Sequence, residues 1–396
     1  MKKLPLLVAI ALCLSLQAFS QQNYLDTIWS GGIMRTFRVY IPAIYSGQTP
    51  RPLVFQFHGE PGTADAFEDF TRMKSVADTA NFILVTPNGT IDPGFPQFGQ
   101  GWNTFICCRT VNDVLFVSDM ADLLQSQYNI DSMQVYGAGL SNGGMMAYEL
   151  ACNPGSKIAA IASVAGTVIK SRLETCIPDR AVPILEIHGT NDPYVPYDGK
   201  ISGIDTFSAV DTILVHWVIR NMCATIPDVV DLPNTNTSDG STVQRITWPD
   251  CSGCSSVELL KISSTGAEHS WPGLPYPNTN QDIIADREIW NFFMKYRQCE
   301  VSATDNIFQS PALSIFPNPS SGFLNLSFPE NPAMAGPVSL LISDLYGRIL
   351  LQQKLSLADQ NQPISLDLKA IPAGCYVLMV EDKKGNRTAY RFVIAR

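Results

Sequence analysis

Runs of apolar, β-branched and aromatic residues recur along the first three hundred positions, and between most of them the apolar residues return at the three-to-four spacing of a helix. Strand-like runs occupy 36–44 (TFRVYIPAI), 53–57 (LVFQF), 82–86 (FILVT), a run beginning at Gln134, then 158–164, 183–187 (PILEI) and 257–262 (VELLKI). Helical patterns occupy 67–79, 111–128, the residues after Gly143, 205–222 and 281–296. The unbroken apolar run at 158–164 fits a strand buried on both faces. Strands alternating with helices predict an α/β fold, a mostly parallel sheet with helices on both faces, whose working loops follow the strands' C-terminal ends. Residues 90–110, rich in Gly, Pro and aromatics (Phe95, Phe98, Trp102, Phe105), read as a long surface loop. A polar stretch at 299–312 reads as a linker. Beyond it, short alternating runs at 324–328, 338–343, 349–355, 364–368, 375–380 and 388–394 predict a small antiparallel β-sandwich spanning 313–396. That second part contains no histidine.

The N-terminus changes the picture of where the chain works. Lys2 and Lys3, an apolar run from Leu4 to Leu16, and small residues at Ala18 and Ser20 read as a secretory signal peptide over 1–20. The run is too short for a membrane anchor, and no later segment is apolar for long enough to span. Of ten cysteines, Cys13 falls in this leader. Cys107, Cys108, Cys152, Cys176, Cys223, Cys251, Cys254 and Cys299 form an even set suited to disulfides in an exported chain, with connectivity left open. Cys251-x-x-Cys254 also has the spacing of a redox or zinc motif, but it stands in a polar loop without a second pair, so structural disulfides are expected. Across 396 residues the formal charge is −9 and no basic cluster follows the leader, which excludes a nucleic-acid binder.

Candidate chemistry centres on 133–148, MQVYGAGLSNGGMMAY, which reads as strand, sharp turn, helix. Ser141, in Gly139-Leu140-Ser141-Asn142-Gly143, would sit on a strained turn with its hydroxyl exposed above the sheet and the helix N-terminus beneath it. A serine nucleophile needs a base, an acid to orient the base, and donors for the oxyanion. On a sheet of this kind the order along the chain is Ser, then Asp or Glu, then His. Only four histidines exist. His58 and His188 precede the acid and stand at strand ends, as structural hydrogen-bonders would, and His216 lies inside a helical pattern. His269 alone follows, on a loop after the last strand, and is the expected base. Asp192, just beyond a buried strand and before Pro193, is the expected acid, with Asp198, Asp205 and Asp211 as alternatives. The expected oxyanion donors are the backbone N–H groups of Asn142 and Glu60, since Pro61 has none. No metal or organic cofactor is required.

GLSNGG, HGTND followed by Pro193, and GAEHSWPG, with Trp102 and Val111-Asn112-Asp113-Val114, together resemble the secreted esterases of the poly(3-hydroxybutyrate) depolymerase and feruloyl esterase group, carbohydrate esterase family one. The resemblance covers about 30–298 and implies an α/β-hydrolase domain over 24–298 with catalytic Ser141, Asp192 and His269. The stretch His58-Gly59-Glu60-Pro61-Gly62 departs from the glycine-rich or Cys-containing loop more usual there. Phe316-Pro317-Asn318-Pro319, Asp344-Leu345-Tyr346-Gly347 and Pro372-Ala373-Gly374-Cys375-Tyr376 resemble the sorting domain of the type IX secretion route. That implies the secretion machinery as a partner and release or attachment at the cell surface. The expected activity is hydrolysis of carboxylic esters through an acyl-enzyme. Feruloyl or acetyl esters of plant polysaccharide are preferred over polyhydroxybutyrate, because no granule-binding module is visible. Trp102 and Trp271, with Phe95, Phe98, Tyr194 and Tyr197, are the expected aromatic wall for substrate. A serine peptidase and a hydrolase fold retained only for binding are the competing readings.

Overall fold

A computed structural model describes residues 21–104, 111–202, 205–266, 268–297, 313–328, 336–344, 349–357, 363–381 and 387–395. The expected signal peptide, the linker, and Phe105, Cys107, Cys108 and Cys299 lie outside the described residues. Strands β1 (Gln22–Ser30), β2 (Ile33–Ile41) and β3 (Arg51–Phe57) are followed by helices α1 (Ala64–Phe70) and α2 (Met73–Ala80) and by β4 (Ile83–Pro87). Short strands β5 (Thr90–Ile91) and β6 (Gln100–Gly101) pair with each other. Next come α3 (Asp113–Gln127), β7 (Ile130–Leu140), α4 (Asn142–Cys152), β8 (Ala160–Val164), α5 (Lys170–Thr175) and β9 (Ile184–Gly189). The pair β10 (Lys200–Ser202) and β11 (Asp205–Phe207), then α6 (Val210–Arg220), β12 (Asp228–Asp231), β13 (Ser241–Trp248), β14 (Val257–Ser264) and α7 (Ala285–Phe293) complete this part.

Ten of these strands form one sheet in the order β1-β2-β4-β3-β7-β8-β9-β14-β13-β12. It is parallel from β4 through β14 and antiparallel at both ends. Alternate residues of the central strands feed two cores. Phe55, Phe57, Ile161 and Ile184 pack on one face with Phe116 and Met120 of α3, Leu150 of α4 and Trp217 of α6. Val54, Ala160, Ala162 and Leu185 pack on the other with Met73 of α2 and Phe292 of α7. Burial on both faces is why these strands read as continuous apolar runs.

The expected helix at 67–79 is two helices. Thr71 turns extended and sends its hydroxyl to Gln56 Oε1 at 2.9 Å, while Asp286 accepts the Arg72 N–H at 3.0 Å and so caps the second helix. The expected helix at 205–222 begins only at Val210, because the backbone of 205–207 pairs with 200–202. The edge strands β1 and β12, and β13 beside β12, were not foreseen. β1 and β12 are exposed along much of their length and polar residues interrupt β13, so no apolar run marks any of them.

The C-terminal part holds β15 (Ser314–Phe316), β16 (Phe323–Ser327), β17 (Gly336–Asp344), β18 (Ile349–Leu357), β19 (Ile364–Asp367), β20 (Gly374–Glu381) and β21 (Arg387–Ile394). Its two antiparallel sheets, β15-β16-β19 and β18-β17-β20-β21, share one core that includes Leu324, Leu326, Leu340, Leu366, Leu378 and Phe392. Cys152 bonds to Cys176, and Cys223 to Cys251. Cys254 is also in a disulfide. Since Cys251 pairs outside its CxxC, that motif is structural.

Candidate active site

Three loops meet at the C-terminal edge of the parallel strands. At the end of β7 the chain reverses into α4 through Ser141, whose φ of 56° and ψ of −120° lie outside the regions open to ordinary residues. Two glycines make that turn possible. A Cβ on Gly139 would stand 2.3 Å from Gly143, and one on Gly143 would stand 2.0 Å from the Phe57 carbonyl oxygen. Ser141 N–H donates to Val164 O at 2.8 Å, which ties the strained residue to β8. The first N–H groups of α4, beginning with Asn142, face the turn without a helical acceptor.

The second loop follows β9. Asp192 is buried, and its Oδ1 accepts the N–H groups of Tyr194 and Val195, both at 2.8 Å. Its Oδ2 accepts from Nδ1 of His269, on the third loop, at 2.7 Å. This pair is the carboxylate–imidazole arrangement that fixes a histidine tautomer with Nε2 free to take a proton. Of the alternatives, Asp198 is exposed and Asp211 accepts the Tyr197 hydroxyl at 2.6 Å, while the Asp205 side chain lies outside the described residues. Glu268 holds the third loop, with its N–H toward Asn191 O at 3.4 Å and its Oε1 accepting Asn280 N–H at 3.0 Å.

The loop after β3 lies against the serine. A Cβ on Gly59 would be 3.4 Å from both Leu140 O and Ser141 Cβ, so Glu60 follows immediately beside the turn. Burial, with the Asp92 charge adding to it, pushes the Glu60 carboxyl above the usual range. His58 organises this loop. Its Nδ1 donates to Gly59 O at 2.8 Å and its Nε2 accepts Gly89 N–H at 3.0 Å, while burial, opposed by the Gly59 carbonyl, lowers its pKa to about 4. A neutral, fully used imidazole is a structural one. His216 is buried in α6 beside Trp217.

Both tryptophans expected in the substrate wall are placed differently. Trp102 is fully buried, donating its ring N–H to His58 O at 2.8 Å and its backbone N–H to Asn142 Oδ1 at 2.7 Å. Trp271 is fully buried against Phe67, with its ring N–H on Asp286 Oδ2 at 3.1 Å. Each indole satisfies its one donor inside the protein, so these rings brace the loops from behind. Tyr197 is buried too. Exposed instead are Tyr194, whose ring lies 5.3 Å from His269, and the Phe95–Phe98 pair. A Cβ on Gly99, next to Phe98, would stand 2.8 Å from Pro61, which puts this pair beside the Glu60 loop. Sequence reasoning passed over Glu186, buried and bonded to His188. Its signal was a lone carboxylate in an apolar strand, PILEI.

Residues 112–204 match the family model for phospholipase/carboxylesterase, and residues 314–395 match that for the secretion system C-terminal sorting domain. The chain joins an α/β-hydrolase domain to a type IX sorting domain. The sorting domain directs export to the cell surface or the extracellular space. Among the described residues, no helix is long and apolar enough to cross a membrane. The hydrolase domain is similar to feruloyl esterase B of Piromyces equi, 28% identical over 235 residues, and to a bifunctional acetylxylan esterase/xylanase of Neocallimastix patriciarum, 27% identical over 277. Those matches take in 58% and 69% of this chain but only 41% and 35% of the relatives' lengths. A probable feruloyl esterase C of Aspergillus niger is 27% identical, over 66% of this chain and 84% of its own. Among solved structures, an acetyl xylan esterase from Aspergillus awamori aligns over 69% of this chain and 99% of that one, at 15% identity and a TM-score of 0.48.

Proposed function

We propose that the protein is an exported serine esterase in which Ser141 is the nucleophile, His269 the general base and Asp192 the orienting acid. The observation that carries this is the 2.7 Å contact between a buried Asp192 and His269, on the sheet edge that also bears the strained Ser141 turn. His269 Nε2 takes the hydroxyl proton as Oγ attacks the ester carbonyl. Asp192 steadies the imidazolium that forms, without itself being protonated. The oxyanion is received by the backbone N–H groups of Asn142, at the start of α4, and Glu60. Collapse expels the alcohol, protonated by His269, and water then hydrolyses the acyl-enzyme along the same path.

The acyl group is aromatic or acetyl, carried on a plant-type polysaccharide. Exposed Phe95, Phe98 and Tyr194 offer apolar ring faces on either side of the serine turn, suited to a phenolic ring. The esterase relatives support the same substrate class. The test is release of ferulate and acetate from feruloylated and acetylated xylan, run beside clearing of a polyhydroxybutyrate suspension. Clearing without release from either xylan would reverse the substrate assignment. Ser141→Ala is expected to lower kcat by about 10⁴ to 10⁶ with the fold intact. Full activity in that variant would remove the proposed nucleophile.

A further inference from the structure

Glu186 and His188 stand two residues apart on β9, so their side chains share one face of the strand, and both are 1% exposed. They form one buried chain that ends at the acid of the site. Tyr148 of α4 donates to Glu186 Oε2 at 2.9 Å, and Glu186 Oε1 meets His188 Nδ1 at 2.7 Å. His188 Nε2 lies 2.9 Å from Val195 O and 3.5 Å from Asp192 Oδ2. Val195 in turn gives its N–H to Asp192 Oδ1, and Asp192 Oδ2 receives His269.

The protons on this chain follow from donor chemistry. A carbonyl only accepts, so His188 Nε2 must carry a hydrogen toward Val195 O. The remaining proton lies between Nδ1 and Glu186. Burial pushes the Glu186 carboxyl up, with His188 among the groups opposing it. Burial alone would depress His188, but Glu186, the Val195 carbonyl and Asp192 carry it above the ordinary value. At 2.7 Å a bare carboxylate oxygen and a bare ring nitrogen would repel, so the contact itself calls for a hydrogen between them. The other groups facing the pair are Ser163, opposite Glu186 on β8, Tyr197, whose ring is 5.9 Å from that of His188, and Lys261, opposite His188 on β14 with its Nζ 4.9 Å from the Tyr197 ring. Tyr197 is bonded to Asp211 of α6.

We propose that Glu186 and His188 are positioning residues for the hydrolytic site, a buried ion pair whose imidazolium faces Asp192 and whose Nε2–H pins the 192–195 turn through Val195. Pinning fixes where Asp192 points. The positive edge of His188 also lies 3.5 Å from the same carboxylate oxygen that His269 uses, so the charge on His188 bears on the group that orients the base. This rests on the triad reading above.

The experiment is ring-¹⁵N NMR of the full chain with labelled histidine, wild type beside Glu186→Gln, whose amide preserves shape and can still bond both neighbours. Four histidines make assignment by single substitution practicable. In wild type His188 should show both ring nitrogens protonated through pH 7, and in Glu186→Gln it should become a neutral ring. For a small aryl ester, kcat of that variant should fall about tenfold while KM holds. A neutral His188 in wild type, or an unchanged kcat when His188 loses its charge, would overturn the proposal. If wild type hydrolyses no ester, the triad reading fails, and the His188 ring signals still decide the ion pair. Should Glu186→Gln fail to fold, His188→Gln removes the same imidazolium and is expected to lower kcat with KM unchanged likewise.

Discussion

Acid should loosen the loop that carries Glu60, and His58 sets how much. In the folded protein His58 is buried with Nδ1–H on Gly59 O and Nε2 accepting from Gly89 N–H. Protonating Nε2 would set two donors against each other. Burial first, opposed by the Gly59 carbonyl, lowers the pKa from the ordinary 6.5 to about 4. The unfolded chain takes up the proton near 6.5, whereas the folded chain resists until about 4. Stability is therefore fully present above about pH 6.5 and declines as pH falls through that window, by about 3 kcal/mol between pH 7.5 and 4. The assay is guanidinium unfolding followed by tryptophan fluorescence at the two pH values, for wild type and His58→Gln. All six tryptophans lie between positions 29 and 290, so the signal reports the hydrolase part alone. Carboxylates such as Glu268, raised by burial, titrate in both proteins and cancel in the difference. Wild type should lose about 3 kcal/mol more than the variant. Equal losses would mean that His58 protonates freely and does not hold the loop.

Gly143→Ala places a Cβ 2.0 Å from Phe57 O and 2.6 Å from His58 O, where only backbone can yield. It should cost at least about 3 kcal/mol in urea unfolding and abolish activity, and a stable, active variant would contradict the packing of the turn. Replacing Phe95 and Phe98 together by Ala should raise KM for methyl ferulate about fivefold and leave an acetyl ester unchanged, since losing one aromatic contact to the feruloyl ring costs on the order of 1 kcal/mol. Equal effects on both esters would argue against an aryl wall. A chain ending at residue 298 should hydrolyse a soluble ester with unchanged kcat, because the two sandwich sheets have a core of their own. A folded but inactive product would place part of the site in the C-terminal region.

The central strands were legible because burial on both faces leaves an unmistakable apolar run, as in IAAIASV before Ala165. The edges were not. Asp228–Asp231 is exposed at every position and reads as loop, yet its backbone pairs with 244–247. Pairing is decided by a neighbour distant in sequence, which composition does not record. The break at Thr71 has the same origin. Nothing local forbids a helix through it, but Gln56 and Asp286, from β3 and α7, compete for its hydroxyl and for the next N–H.

At the site, the sharp turn at Ser141 and the meeting of the Asp192 and His269 loops were legible because their order and flanking elements follow from what a serine nucleophile would need. Their supports were not, because a buried tryptophan and a substrate-binding one look identical in a sequence. What separates them is the indole N–H. In Trp102 it is spent on the carbonyl of His58, and in Trp271 on Asp286, so neither ring has a polar edge left for a ligand. The same accounting explains why Ser141 can hold a positive φ, a conformation that costs a non-glycine residue about 1 to 3 kcal/mol. Val164 takes its N–H, Met145 gives its own N–H to the Ser141 carbonyl, and the Asn142 side chain fastens the next residue to Trp102 and Thr104. Trp102 then reaches back to His58 at the head of the Glu60 loop. The strain at the serine and the placement of the Glu60 N–H are thus maintained by one continuous set of buried bonds, so damage to either should be felt at the other.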